Sequence, residues 1–117
     1  MNQASLNTEV RKTQNNVGII DIHGDVTGAA ENILMDAFAQ ASNGKTTTVL
    51  LNFSGLDYMN SSGIGLLVTL LIRSQRQKQR LIACGLSEHY QEIFKLTRLN
   101  EAISIYADEA KALAAIN

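Results

Sequence analysis

Hydrophobic and polar positions follow two different periods along the chain, and each change of period predicts an element. Residues 17–23 and 47–53 are rich in β-branched and apolar side chains, a composition typical of strands. Residues 49–51 show no polar alternation, which indicates a strand covered on both faces. Shorter runs predict three further strands, at residues 7–11, 81–84 and 103–105.

The segments between these strands show helical spacing. The first predicted helix has an apolar face whose members recur at intervals of three and four residues: Ala30, Ile33, Leu34, Ala37, Phe38 and Ala41. Gly44 ends this helix as a left-handed C-cap. Ser87 and Asp108 are the predicted N-caps of a third and a last helix, and the third helix turns Tyr90 and Phe94 inward.

The second predicted helix, residues 61–79, is apolar most of the way round its first turns. Its predicted core stripe consists of Ile64, Leu67, Val68, Leu71 and Ile72. Leu66 and Leu70 lie off that stripe, so we expect glutamate at either position to weaken partner binding without unfolding the domain. The basic run at 73–80 is interpreted as cations that suit a helix C-terminus and keep the exposed turn soluble.

Strands that alternate with helices of this length imply an α/β fold. We predict a single small domain with a mixed, mostly parallel β-sheet of four or five strands and about four helices. The turn at Asn15 and Asn16 is too short for a crossover, so the first two strands should pair antiparallel. Residues 1–6 are predicted to be a flexible tail, and residues 7–117 the folded domain.

Composition and charge narrow the function. The 117 residues fit one domain, and 45% hydrophobic with 18% charged residues is a globular composition. A net charge of −1 argues against nucleic acid as a partner. Cys84, the only cysteine, is expected to be a buried hydrophobe in a reducing cytoplasm. We expect no signal peptide, because the N-terminal residues are polar, and no membrane insertion, because the longest apolar run, residues 64–72, is too short.

Candidate catalytic residues do not form a convincing set. His23 and His89 have no cysteine or second histidine at ligand spacing, so no metal site is predicted. Asp21, Asp25 and Asp57 are interpreted as solvated carboxylates at loop ends rather than as an acid–base pair. We therefore expect no catalytic residue, no cofactor and no enzymatic activity.

The turn Asn-Ser-Ser-Gly at residues 60–63 stands between a predicted link, residues 54–60, and the second helix. Asn and Ser suit an N-cap, but two consecutive serines exceed what capping requires. Gly63 and Gly65 lack the third glycine of a dinucleotide site; they favour close packing and leave the turn open to another protein's backbone. Free amides and the positive helix end would hold a phosphate here, and its charge would oppose a docked partner.

Residues 49–65, Val-Leu-Leu-Asn-Phe-Ser-Gly-Leu-Asp-Tyr-Met-Asn-Ser-Ser-Gly-Ile-Gly, resemble the signature of the STAS domain family, and specifically that of bacterial anti-sigma-factor antagonists. The resemblance extends to residues 24–26, 90–99 and 103–105, and so covers nearly the whole chain. It implies a small mixed sheet with helices packed mainly on one face, which agrees with the order of elements above.

The resemblance also implies a partner switch. In the family, an antagonist binds an anti-sigma factor with a histidine-kinase-like ATPase fold and so frees a sigma factor for transcription. The anti-sigma factor ends the complex by phosphorylating one serine, and a serine phosphatase resets the antagonist. By position the acceptor is Ser61, with Ser62 as the alternative. The implied partner-binding residues are Asp25, Thr27, Met59, Asn60, Ser62, Gly63, Ile64, Gly65 and Leu66.

Two positions depart from the family pattern. Asn60 stands where the family usually has Asp, and Thr27 where it often has an acidic residue. Both should lie beside Ser61, so the local negative field is weaker here, which leaves open how fast the serine is phosphorylated and by which kinase. Three other hypotheses stay open as well: a STAS domain in a scaffold, regulatory or transport-accessory complex, a nucleotide- or anion-binding module, and an enzyme.

Overall fold

Backbone ladders in the computed structural model, which describes residues 5–116, form five strands: β1 Leu6–Lys12, β2 Val17–Val26, β3 Thr48–Met59, β4 Arg80–Cys84 and β5 Ser104–Tyr106. The strands lie side by side in that order in one sheet. β1 pairs antiparallel with β2, and the remaining neighbours pair in parallel. The predicted mixed, mostly parallel sheet and its antiparallel first pair are therefore confirmed.

The same described residues contain four α-helices: α1 Glu31–Ala41, α2 Ser61–Arg76, α3 Glu88–Leu96 and α4 Glu109–Ala115. The first three cover one face of the sheet and enclose the main core. α4 covers part of the other face, where Ala112 packs in a smaller core. The predicted N-caps are confirmed, since Ser87 accepts a hydrogen bond from the amide of Tyr90 at 3.4 Å and Asp108 one from the amide of Lys111 at 2.8 Å.

Alternation along β3 accounts for the two cores. Val49, Leu51 and Phe53 point toward α1, α2 and α3, whereas Leu50 points toward α4. Each of these four side chains is at most 2% exposed. Residues 49–51, predicted to form a strand covered on both faces, are therefore covered on both faces of the sheet.

Several element boundaries differ from the prediction. β3 continues through residues 54–59, predicted as a link, because β2 itself continues past residue 23 and pairs with β3 as far as Val26 and Met59. β1 begins at Leu6, which is only 4% exposed, so the last residue of the predicted tail belongs to the domain. Residues 1–4 of that tail lie outside the described residues. α2 ends at Arg76 rather than at residue 79.

The face that α2 buries overlaps the predicted stripe only in part: Leu67 is buried, and Ile64 and Leu71 are partly buried against the core. Its buried residues are Gly63, Leu66, Leu67, Leu70 and Ser74. Leu66 and Leu70, predicted to lie off the core stripe, are 8% and 0% exposed and belong to the core. Val68 and Ile72, predicted in the core, are instead 38% and 44% exposed. The helix is rotated by about one residue, or roughly 100°, relative to the prediction.

A polar network on the α4 side ties the edge strand β1 to α4. Arg11 donates to both carboxylate oxygens of Asp21, at 2.7 and 2.8 Å, and also to Glu109. Asn52 donates to Asp21 at 2.8 Å. The Arg11 hydrogen bonds hold the pKa of the Asp21 carboxyl below its usual value, against the opposing effect of burial. Cys84 on β4 is buried, as predicted, and burial raises the pKa of its thiol to about 11.

The rotation of α2 can be tested with a matched pair of truncations. Leu70→Ala should reduce the free energy of unfolding by about 2–5 kcal/mol, because it leaves a cavity beneath the helix. Ile72→Ala, two positions further along, should change it by less than about 0.5 kcal/mol. Urea unfolding followed by circular dichroism measures both, and equal losses would contradict the observed face.

Candidate functional site

The serine turn lies where β2 and β3 end side by side. Val26 pairs with Met59 in the last rung of the parallel ladder. Immediately after this rung, the amide of Asn60 donates to the carbonyl of Val26 at 3.3 Å. The backbone after β2 and the start of α2 are therefore held together, and Thr27 and Asn60, which flank this junction, are brought to one end of the sheet.

Asn60 is the N-cap of α2. Its backbone is extended, with φ −102° and ψ −175°, and its side-chain oxygen accepts a hydrogen bond from the amide of Gly63 at 2.9 Å. Its carbonyl accepts the amide of Ile64 at 3.0 Å. Within residues 5–116, the amides of Ser61 and Ser62 have no acceptor, so both stay available at the positive end of the helix.

The two serines differ in their surroundings although both are exposed. Ser62 borders the turn after β2, because a Cβ built on Gly28 would lie 3.5 Å from the Ser62 Cβ and 3.8 Å from its hydroxyl oxygen. The Ser61 hydroxyl makes no hydrogen bond with any other residue that the structure describes. Ser61, the first residue of α2, is therefore the less encumbered of the two.

The two glycines of the turn have opposite roles. A Cβ on Gly63 would come within 2.1 Å of the Val26 carbonyl oxygen, so only glycine allows the helix to approach β2 this closely. A Cβ on Gly65 would meet nothing within 4 Å. Close packing against the sheet, predicted for both glycines, thus holds at Gly63, whereas Gly65 leaves a bare stretch of exposed helix.

Two bulges in β3 adjust the approach to the turn. The register with β2 shifts between Asp21 and His23 and again between Gly24 and Asp25. β3 therefore uses twelve residues where β2 uses ten, and Asp25 comes to lie opposite Tyr58. Bulges of this kind are common beside functional sites, where they re-aim side chains.

Tyr90 supports the turn from α3 in a role that the sequence does not reveal. Its hydroxyl oxygen accepts the amide of Met59 at 2.8 Å, and its side chain is 8% exposed. The bond fixes the last residue of β3, directly before Asn60. Helical spacing predicts that Tyr90 points inward, but nothing in the pattern identifies the distant backbone amide that it holds.

The predicted partner-binding residues fall into two groups that differ in solvent exposure. Seven of the predicted site residues are half-buried or exposed: Asp25, Thr27, Asn60, Ser61, Ser62, Ile64 and Gly65. Met59, Gly63 and Leu66 are buried. These three lie beneath the exposed residues of the turn, and their role in partner binding stays a prediction.

The structure also has a cleft away from the serine turn. An open cleft of about 550 Å³ is lined mainly by α3, with Asn100 and Ile105, and does not include the serine turn. Residues 5–116 contain no group of three or more His, Cys, Asp or Glu that could hold a metal ion. Over the same span, no helix combines the length and apolar character needed to cross a membrane.

A family model for the STAS domain matches residues 8–112. The phosphorylated form of SpoIIAA, a Bacillus cell fate determinant, has a similar fold, with 22% identity, a TM-score of 0.68, and coverage of 95% of this chain and 100% of that one. An anti-sigma factor antagonist from Mycobacterium paratuberculosis is 16% identical, with a TM-score of 0.81 and 97% coverage of both chains. A sulfate transporter family protein from Wolinella succinogenes is 16% identical, with a TM-score of 0.76 and coverage of 90% and 88%.

The contrast between the two glycines yields a test of the turn. Gly63→Ala should destabilise the domain by about 1–3 kcal/mol, because the new methyl group collides with the Val26 carbonyl. Gly65→Ala should stabilise it by about 0.5–1 kcal/mol, because alanine favours the helix and meets open space. Urea unfolding measures both changes, and a neutral Gly63→Ala would contradict the close approach.

Proposed function

This chain belongs to the STAS domain family, and we propose that it is an anti-sigma-factor antagonist whose partner binding is switched by phosphorylation of Ser61. The unphosphorylated form binds an anti-sigma factor that is also a serine kinase with a histidine-kinase-like ATPase fold, and so releases a sigma factor in the cytoplasm. Phosphorylation ends the complex, and a serine phosphatase restores the free antagonist. The chain itself supplies a hydroxyl and a docking surface, and the chemistry is the partner's.

The observation that carries this proposal is the position of Ser61. Its hydroxyl is exposed and unbonded within the described residues, at the first residue of a helix. A kinase has to bring the γ-phosphate of ATP to this oxygen, which requires an approach from solvent. Ser62 is also exposed, but the neighbouring turn at Gly28 borders its side chain, which favours Ser61 as the acceptor.

A phosphate on Ser61 affects the fold and the complex differently. The added charge is about −1.5 to −2, and the helix end with its unpaired amides stabilises such a charge. The fold should therefore tolerate it. A partner docked over the turn would have to desolvate the same charge, and a penalty of about 3–4 kcal/mol would lower affinity by two to three orders of magnitude.

The proposed contact surface runs along exposed residues of α2. Ser61, Gly65, Val68 and Ile72 follow one another at intervals of four, three and four residues, and all are exposed. They therefore form one line along the outer side of the helix, here called the α2 ridge. The ridge replaces Leu66 and Leu70 as the surface that a partner meets next to Ser61, and the bare helix at Gly65 allows a partner backbone to come close.

Asn60 caps the helix as an aspartate would, but it places no negative charge next to Ser61. The side-chain oxygen that an aspartate would use for capping is present in the amide and accepts the Gly63 amide at 2.9 Å. The negative charge of an aspartate is absent. The proposal therefore includes a kinase that acts on a serine with a neutral neighbour on its N-terminal side.

A second candidate is a constitutive STAS scaffold or transport-accessory domain, which the fold similarity to the Wolinella protein favours. This candidate requires no change at Ser61, and its complexes should be insensitive to ATP. A nucleotide- or anion-binding module would instead retain its ligand through purification, and native mass spectrometry would detect it.

Binding to a partner with and without ATP separates these candidates. Tagged protein incubated with extract of its native cells should capture a kinase of the histidine-kinase-like class, and added ATP should release it. Ser61→Ala should prevent the release, whereas Ser62→Ala should behave like the parent. Ser61→Asp should weaken binding by about 100- to 1,000-fold, with a melting temperature within about 3 °C of the parent.

Two results would contradict the proposal. Release by ATP that persists in Ser61→Ala would place the switch elsewhere. Undiminished binding of Ser61→Asp would show that charge at this position does not oppose the partner.

A further inference from the structure

The far end of α2 carries cations that the domain does not neutralise. Arg73 and Arg76 lie in the last turns of the helix, and Lys78 and Arg80 follow in the connection to β4. All four are exposed, and none makes an ion pair or a side-chain hydrogen bond with any residue between 5 and 116. The sequence has no acidic residue between positions 58 and 87 that could offset them.

The fold adds cations from distant segments to the same end of the sheet. Lys12 at the end of β1 donates to the carbonyl of Asn43 at 3.0 Å, in the α1–β3 connection that also contains exposed Lys45. The amide of Arg80 donates to Thr47 of that connection at 3.0 Å. Although the net charge is −1, cations are concentrated at this end of the sheet. This surface, here called the basic end, consists of Lys12, Lys45, Arg73, Arg76, Lys78 and Arg80.

Exposed aliphatic side chains adjoin two of these cations. Val68 and Ile72, on the α2 ridge, are 38% and 44% exposed. Arg76 lies one turn beyond Ile72 on the same side of the helix, and Arg73 is next to Ile72 in sequence. One surface can therefore make apolar contacts through Val68 and Ile72 and ion pairs through Arg73 and Arg76.

We propose that the second half of α2 docks an acidic amphipathic segment of the protein partner. Apolar side chains of that segment cover Val68 and Ile72, and its carboxylates pair with Arg73 and Arg76. Arginine suits this role because its guanidinium binds a carboxylate through two parallel hydrogen bonds. The proposal rests on the proposed function in one respect, that the ridge beginning at Ser61 is the surface on which a protein partner lies.

Other polyanions fit this surface less well. Single-stranded nucleic acid is bound through aromatic stacking, and residues 12–16, 42–47 and 73–80 contain no aromatic side chain. A phosphate backbone would leave Val68 and Ile72 uncovered. The loops at the basic end, residues 13–16, 42–47 and 77–80, carry only polar and charged side chains. An anionic membrane at this end would therefore gain no apolar contact, because the exposed aliphatic side chains lie on the flank of the helix.

The two ends of α2 then control different steps of binding. Ser61 and Arg76 are fifteen residues apart on one helix, or about 22 Å. This distance exceeds the Debye length of about 8 Å at physiological salt, so a phosphate on Ser61 hardly affects the field at the arginines. The arginines accelerate association through steering, whereas the phosphate hastens dissociation.

Binding kinetics with the kinase captured by the tagged protein test this division. Arg73→Glu/Arg76→Glu should lower the association rate constant about tenfold or more at low salt, with the difference shrinking as salt rises. The control Lys95→Glu/Lys111→Glu makes the same change in net charge with exposed lysines on α3 and α4, and should alter the rate constant less than about threefold. Equal effects of the two double variants would overturn the proposal.

A second measurement does not depend on the kinase or on Ser61. A synthetic helical peptide with leucines on one side and glutamates on the other is titrated into the ¹⁵N-labelled domain. The proposal is supported if the changes in amide chemical shift are confined to residues 65–76. These changes should be equal in the Ser61→Asp variant and should be lost with a peptide in which glutamine replaces glutamate. This result would support the proposal whether or not Ser61 proves to be a switch. No shifts with the peptide, or shifts there only with phosphatidylserine vesicles or a DNA duplex, would overturn it.

Discussion

The close contact between the start of α2 and the end of β2 is the constraint on which the rest of the site depends. The helix reaches the Val26 carbonyl because Gly63 has no side chain, and the amide of Asn60 hydrogen-bonds to the same oxygen at 3.3 Å. This contact sets the rotation of the helix. Leu67 and Leu70 turn into the core as a consequence, and Ser61 turns toward solvent. The exposure of the proposed acceptor is thus a result of backbone packing beneath it.

The sequence predicts the order of the elements, the antiparallel first strand pair, and the caps at Ser87 and Asp108, because each has a local signal in period, turn length or capping chemistry. The end of β3 has no such signal. Ser54, Gly55 and Asp57 have low strand propensity, and they are extended because β2 offers them a parallel ladder. The hydrogen bond from Met59 to Tyr90 joins residues 31 positions apart, which no local pattern reveals.

The buried face of α2 could not be read correctly for a different reason. Its first turns are apolar most of the way round, so two stripes about 100° apart fit the helical period almost equally well. The deciding contact is tertiary, at Gly63, and the buried stripe even includes the polar Ser74, whose hydroxyl is satisfied by the carbonyl of Leu71 at 2.7 Å. The sequence singles out the serine turn as the candidate site, but only the structure shows that Leu66 and Leu70 beside it are buried.

The proposed switch requires that the Ser61 hydroxyl receive a phosphoryl group in the cell. Tandem mass spectrometry of the protein purified from its native cells, with fragment ions that separate Ser61 from Ser62, measures this directly. We expect a phosphorylated fraction carried by Ser61 that disappears on phosphatase treatment. A phosphoryl group found only on Ser62, or on neither serine while the sigma factor is held inactive, would contradict it.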